Sequence, residues 1–147
     1  MMGKNQEIYS SADNGECSLI SREHMTKPRN VGKLADASGY GEATLVCGDT
    51  LMLWLKIDCG RVTVASFMTD NGCATTIAAG SMVTEMAKGK TVAQVARIRP
   101  QHILEALEGN SEESLHGALL AGHALHEAVQ NYIKYKNEPW KRAYGRP

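Results

Sequence analysis

The chain has 147 residues, 43% of them apolar and 22% charged, which suits one domain with its own core rather than two. Sixteen Lys and Arg balance sixteen Asp and Glu, so no net field draws the chain to nucleic acid or to an anionic membrane. No apolar run reaches bilayer length, and the opening stretch MMGKNQEIYSSADNG lacks the apolar core of a signal peptide. The expectation is a cytoplasmic protein.

Residues 1–20 are polar and show no period, which predicts a flexible N-terminal tail that carries Cys17. In residues 21–32 (SREHMTKPRNVG) Ser21 is positioned to cap a short helical turn, and Pro28 biases Lys27 away from helix. Gly39 and Gly41 mark a break before a first strand at residues 42–47 (EATLVC). In residues 50–58 (TLMLWLKID) Leu51, Leu53, Leu55 and Ile57 recur with a period of two, placing four aliphatic side chains on one face of a strand. Asp58-Cys59-Gly60-Arg61 reads as a hairpin turn and residues 62–69 (VTVASFMT) as the returning strand. The expected sheet is a three-stranded antiparallel meander.

Helices take the rest. Residues 73–88 (CATTIAAGSMVTEMAK) are rich in small side chains, and Gly89 is a natural stop. Thr91 with Gln94 forms a capping box that opens TVAQVAR, and Pro100 suits the first turn of PQHILEALEG. A last helix is predicted from Glu112 to Lys136, with Leu115, Leu119, Leu125, Val129 and Tyr132 as its buried stripe. Strands first and helices after define an α+β fold. The domain is expected to span residues 21–136, followed by a C-terminal tail, 137–147, whose basic and aromatic residues end the chain.

The four cysteines, Cys17, Cys47, Cys59 and Cys73, form no CxxC pair. In a reducing cytosol they are thiols or metal ligands rather than disulfides. Cys47 and Asp49 share a turn that Gly48 permits, so a thiolate and a carboxylate can face one cavity. Cys73 opens a long helix, where the dipole and the free N–H groups favour thiolate. His116, early in the last helix, adds an imidazole. Two thiolates, a carboxylate and an imidazole make a tetrahedral set for zinc or iron. Each also has a plainer reading, as a small buried hydrophobe, a turn former or a surface histidine. Nothing local brings Cys47 and Cys73, 26 residues apart, together.

Cys59, at the far end of a strand of about 3.3 Å per residue, is expected outside that site. His123 lies two helical turns beyond His116, about 10 Å along the axis, near enough to line an approach. His123 and His126 are otherwise read as solvated surface. No GxSxG, HExxH, Walker loop or GxGxxG appears, so an enzyme is not expected.

Several of these segments also carry a resemblance. Residues 24–32 (HMTKPRNVG), the turn Cys47-Gly48-Asp49, residues 72–83 (GCATTIAAGSMV), residues 84–90 (TEMAKGK) and Leu115-His116 before a long helix resemble the IscU/NifU amino-terminal family of iron–sulfur cluster assembly scaffolds. The likeness covers about residues 22–136 in the same order. It implies an IscU/SufE-like antiparallel sheet packed against helices, with the site at one exposed end. It also implies sulfur supply by a cysteine desulfurase, transient assembly of a [2Fe–2S] cluster or binding of its iron, and transfer to apo acceptor proteins. Position by position, Cys47, Asp49 and Cys73 match family ligands, and His116 matches the histidine beside the last one. A carboxylate among thiolates suits a carrier that must release its cargo. His24 and Lys90, inside matching segments, are read as structural or partner-contacting.

The residue after that histidine is a third cysteine in the family pattern and Gly117 here. Residues 109–115 (GNSEESL) also lack the proline-containing chaperone-recognition motif of some members. Three readings follow: a divergent scaffold or carrier, a zinc- or iron-binding partner module of a desulfurase that no longer assembles clusters, and a persulfide relay. With two cysteines per chain, a homo-oligomer sharing one cluster is a further expectation.

Overall fold

The computed structural model describes residues 18–45, 48–70, 73–109 and 111–137. The expected N-terminal tail with Cys17, the turn residue Cys47 and the tail from residue 138 lie outside the described residues. The elements run α1 (Leu19–Thr26), β1 (Gly39–Thr44), β2 (Thr50–Asp58), β3 (Arg61–Asp70), α2 (Ala74–Ala87), α3 (Val92–Ala96), α4 (Pro100–Ala106) and α5 (Glu112–Asn137). The sheet order is β1-β2-β3 with both pairs antiparallel, the expected meander. The fold is α+β.

The alternation in β2 fixes which face is covered. Leu51, Leu53 and Leu55 are fully buried and Ile57 nearly so, beneath α2 and α5, whereas Met52, Trp54 and Lys56 lie half-buried on the other face. Burying such a side chain stabilises the fold by about 1.5–3 kcal/mol. On the open face the rings of Tyr40 and Trp54 pack 5.2 Å apart. A register shift between Lys56 and Ile57 precedes the turn, where Cys59 (φ 52°) and Gly60 (φ 73°) are both left-handed. Two positive-φ centres suit the right-handed twist of a two-residue hairpin.

Several boundaries differ from the sequence reading, each for a local reason. Ser18, not Ser21, caps α1: its side chain accepts the Ser21 N–H at 3.0 Å. Ser18 and Ser21 both donate their hydroxyls to the Leu107 carbonyl, at 2.5 and 2.7 Å, tying α1 to the end of α4. The folded region therefore starts before residue 21. Gly39 and Gly41 are not a break before β1 but part of it. A Cβ on Gly41 would lie 2.0 Å from the Ala124 carbonyl oxygen, and one on Gly39 2.4 Å from that of Ala128. Missing side chains let the strand lie directly on α5.

The buried stripe of α5 matches the expected one at Leu125 and Val129 and departs from it elsewhere. Leu115 is 41% exposed, and the core face is made by Ala118, Leu120, Ala121, Ala124, Leu125, Ala128 and Val129. Small residues face inward because backbone approaches α5 at close range all along its length. Besides β1, the ring of Pro100 packs on Gly122 and the first turn of α2 on Gly117.

The Thr91–Gln94 capping box and the N-terminal Pro100 occur as expected. Thr91 bridges Arg61, so the segment after α2 pairs with the start of β3. No helix among the described residues is long and apolar enough to cross a membrane.

Candidate functional site

Asp49 stands at the head of β2, in the connection from β1. The Leu45 N–H donates to the Asp49 carbonyl at 3.0 Å and the Gly48 N–H to the Leu45 carbonyl at 2.9 Å. Gly48 has φ 99°, a conformation that a side chain would strain. Thr44 and Thr50 close the end of the ladder with their hydroxyls 3.0 Å apart.

Cys73 is the N-cap of α2 rather than a residue of its first turn, with extended backbone and no cap bond from its side chain. Its thiol is exposed and free. Two threonine hydroxyls approach the sulfur: Thr75 Oγ1 at 3.0 Å and Thr76 Oγ1 at 3.4 Å. Thr76 Oγ1 also donates to Asp49 Oδ2 at 3.2 Å. A carboxylate and a thiol 24 residues apart in sequence are thus joined through one buried hydroxyl, Thr76 being 1% exposed.

α5 closes the same end. A Cβ at Gly117 would stand 2.6 Å from the Thr75 carbonyl oxygen and 3.3 Å from the Thr76 nitrogen. The first turn of α2 thus occupies the space where a larger residue 117 would project. His116, the preceding residue, is exposed and has no hydrogen-bond or ion-pair partner among the described residues. The structure brings Asp49 and Cys73 together and sets His116 beside the helix contact next to them. Among the described residues no group of three His, Cys, Asp or Glu side chains is placed to hold a metal ion.

Thr75 and Thr76 were absent from the sequence reading, although their positions carry a signal. They are the second and third residues of a helix whose N-cap is a cysteine, and a side chain three residues in folds back toward the cap.

The remaining candidates sit elsewhere. Cys59 is exposed in the hairpin turn, at the end of β2 opposite Asp49. His123 and His126 line an open pocket of about 320 Å³ with Glu42, Ala43, Thr44 and Glu127, on the flank of β1. Nearby, Tyr40 donates to Glu42 at 2.8 Å, and its hydroxyl is pushed up to about 12, chiefly by burial. His24 is 4% exposed and its Nδ1 lies 2.6 Å from Ser81 Oγ, which also accepts the Arg29 N–H. Burial holds this imidazole below its ordinary value, helped by Arg29 and opposed by Glu23 and Glu85. His24 thus pins α1 to α2. Lys90 donates to the Met86 carbonyl.

Residues 20–139 match the family model described as NifU-like N terminal domain. The chain is 41% identical over 113 residues to "Iron-sulfur cluster assembly scaffold protein IscU 1" of Archaeoglobus fulgidus, a match covering 76% of this chain and 73% of that one. It is 33% identical over 113 residues to "Iron-sulfur cluster assembly scaffold protein IscU" of Aquifex aeolicus, covering 76% and 72%. Among solved structures, the N-terminal part of a nitrogen-fixing NifU-like protein from Brucella abortus superposes with a TM-score of 0.60 at 18% identity, over 80% of this chain and 94% of that one. At that identity the likeness speaks for the fold.

Proposed function

The chain belongs to the NifU-like N-terminal-domain family, and from that premise we propose that it is an iron–sulfur cluster assembly scaffold or carrier. The observation that carries this reading is the meeting of Asp49 and Cys73, from separate elements, around Thr76 at one end of the domain. Cys47 is two residues from Asp49 along the chain. Cys47, Asp49 and Cys73 then supply two soft sulfurs and one hard oxygen, with His116 as a further nitrogen donor. Thiolates suit iron and zinc, and the oxygen is the weaker partner for a sulfide-bridged cluster. Such a set takes cargo and gives it up.

The cargo in this reading is a [2Fe–2S] cluster or its iron. The relatives named above are described as scaffolds. A cysteine desulfurase as sulfur source and apo iron–sulfur proteins as acceptors belong to the same proposal. The protein holds and passes its cargo and does not itself turn over a substrate. With no thiol at residue 117, a cluster needing four sulfur ligands would take two cysteines from each of two chains.

Anaerobic reconstitution with iron and sulfide tests the proposal. Sulfur-to-iron charge-transfer absorbance should appear in the visible, and Cys47→Ala or Cys73→Ala should abolish it. A chain that stays colourless under conditions that load a three-cysteine relative would overturn it.

The packing of Thr75 against Gly117 favours a second reading, because it closes the space of a third ligand. Here the chain binds zinc or iron as a partner module of a desulfurase and assembles nothing. One zinc per chain in protein purified without oxygen, together with failed reconstitution, would select it.

A further inference from the structure

Thr76 is the one described side chain within hydrogen-bond distance of both Asp49 and Cys73. It is buried to 1% exposure, whereas Cys73 is exposed and Asp49 half-exposed. The hydroxyl thus lies beneath the site, with both partners above it. A threonine hydroxyl has one proton to donate and two lone pairs. Its proton goes to Asp49 Oδ2, leaving its oxygen to face the sulfur, while Thr75 supplies a second hydroxyl to that sulfur from the exposed side.

We propose that Thr76 is a positioning residue: its buried hydroxyl fixes the Asp49 carboxylate toward the Cys73 sulfur, so that the oxygen and sulfur ligands are set before a metal arrives. This rests on the metal-site reading given above. Three features carry it. The hydrogen bond to Asp49 spans 27 residues of sequence and joins the β1–β2 connection to the head of α2. A buried hydroxyl has to find partners inside the protein, and both of its partners here are candidate ligands. An aspartate in a connection has several rotamers open to it, and an anchored oxygen selects one. Groups that orient a ligand without touching the metal typically change affinity by about 10–100-fold when lost.

Valine has the shape of threonine without the hydroxyl, and serine has the hydroxyl without the methyl. Anaerobic titration of the full-length, reduced chain with Co(II) reads both ligands optically, sulfur through near-ultraviolet charge transfer and coordination geometry through the visible ligand-field bands. T76V should bind Co(II) about tenfold or more weakly, with ligand-field bands displaced toward those of D49A. T76S should bind as the unaltered chain does, and T76V should add nothing in the D49A background. Thermal melting of each apo variant checks that the fold is intact, and T76A repeats the test should the valine variant fail to fold.

Unchanged Co(II) affinity and spectrum in both T76V and T76A would overturn the proposal. So would a loss that serine does not restore, or losses in T76V and D49A that simply add. If the unaltered chain takes up no Co(II), the metal-site reading falls first and the role of Thr76 falls with it. That outcome is distinct from a chain that binds normally with or without the hydroxyl.

Discussion

Gly117 faces the carbonyl of Thr75 across the α5–α2 contact with no room for a methyl group, an added Cβ lying 2.6 Å from the oxygen. The position that carries a third thiol in the family pattern is therefore filled by backbone here. Restoring that residue is not a matter of adding sulfur to a vacant space.

Gly117→Ala and Gly117→Cys should each destabilise the fold by about 1–3 kcal/mol, the cost of forcing an extra group into a packed contact. Urea unfolding followed by circular dichroism measures it. The cysteine variant should gain no iron or sulfide over the unaltered chain. Unaltered stability in both variants would mean that α2 and α5 part easily at this point.

Replacing Asp49 by alanine should lengthen the life of a reconstituted cluster while lowering affinity for Co(II). The carboxylate is the hard ligand of the set, a good one for a divalent ion and a poor one for a sulfide-bridged centre. Decay of visible absorbance on exposure to a chelator follows the first effect, and the cobalt titration follows the second.

Cys59→Asn should stabilise the chain by about 0.5–1 kcal/mol, because cysteine is strained in the left-handed region and asparagine before glycine is favoured there. Cys59 has φ 52° and lies at the opposite end of β2 from Asp49. Iron and sulfide uptake should accordingly be unaffected. A variant that melted higher yet loaded less would tie this turn to the site.

His24 makes stability depend on acidity. Its folded value is lowered from the 6.5 of a free imidazole, mainly because burial disfavours the cation, with Arg29 adding to the effect and Glu23 and Glu85 opposing it. Below 6.5 the unfolded chain therefore takes up the proton first. The stability that neutral His24 contributes is whole above that point and falls away as pH drops toward the lowered folded value. Denaturation midpoints measured between pH 8 and 5 should decline on the acid side, and less steeply in His24→Gln. Equal slopes for the two proteins would show that other groups carry the acid sensitivity.

Elements whose signal is local were legible in the sequence. The alternation of Leu51, Leu53, Leu55 and Ile57 identified both β2 and its covered face, because a strand's side chains have a fixed period. Asp58-Cys59-Gly60-Arg61 and the Thr91–Gln94 box were likewise readable, each being a contact within four residues. Gly39 and Gly41 were misread because a glycine looks like a break unless one knows that α5 lies against it. The inward face of α5 was only partly read for the same reason: Leu125 and Val129 lie in the core, but Leu115 is exposed and the alanines that let other backbone come close were passed over. Of the proposed ligands, the pairing of Asp49 with Cys73 could not be derived from spacing. The threonine between them was missed because its importance lies in a partner 27 residues away.

One helix receives β1 at Ala124 and Ala128 and the head of α2 at Gly117. The carboxylate that follows β1 and the sulfur that opens α2 therefore take their separation from a single rod, on which residues 117 and 124 stand about 10 Å apart. A methyl gained or lost on that rod resizes the gap between the two groups while leaving both intact. The gauge of the opening can thus change over generations independently of the atoms that line it.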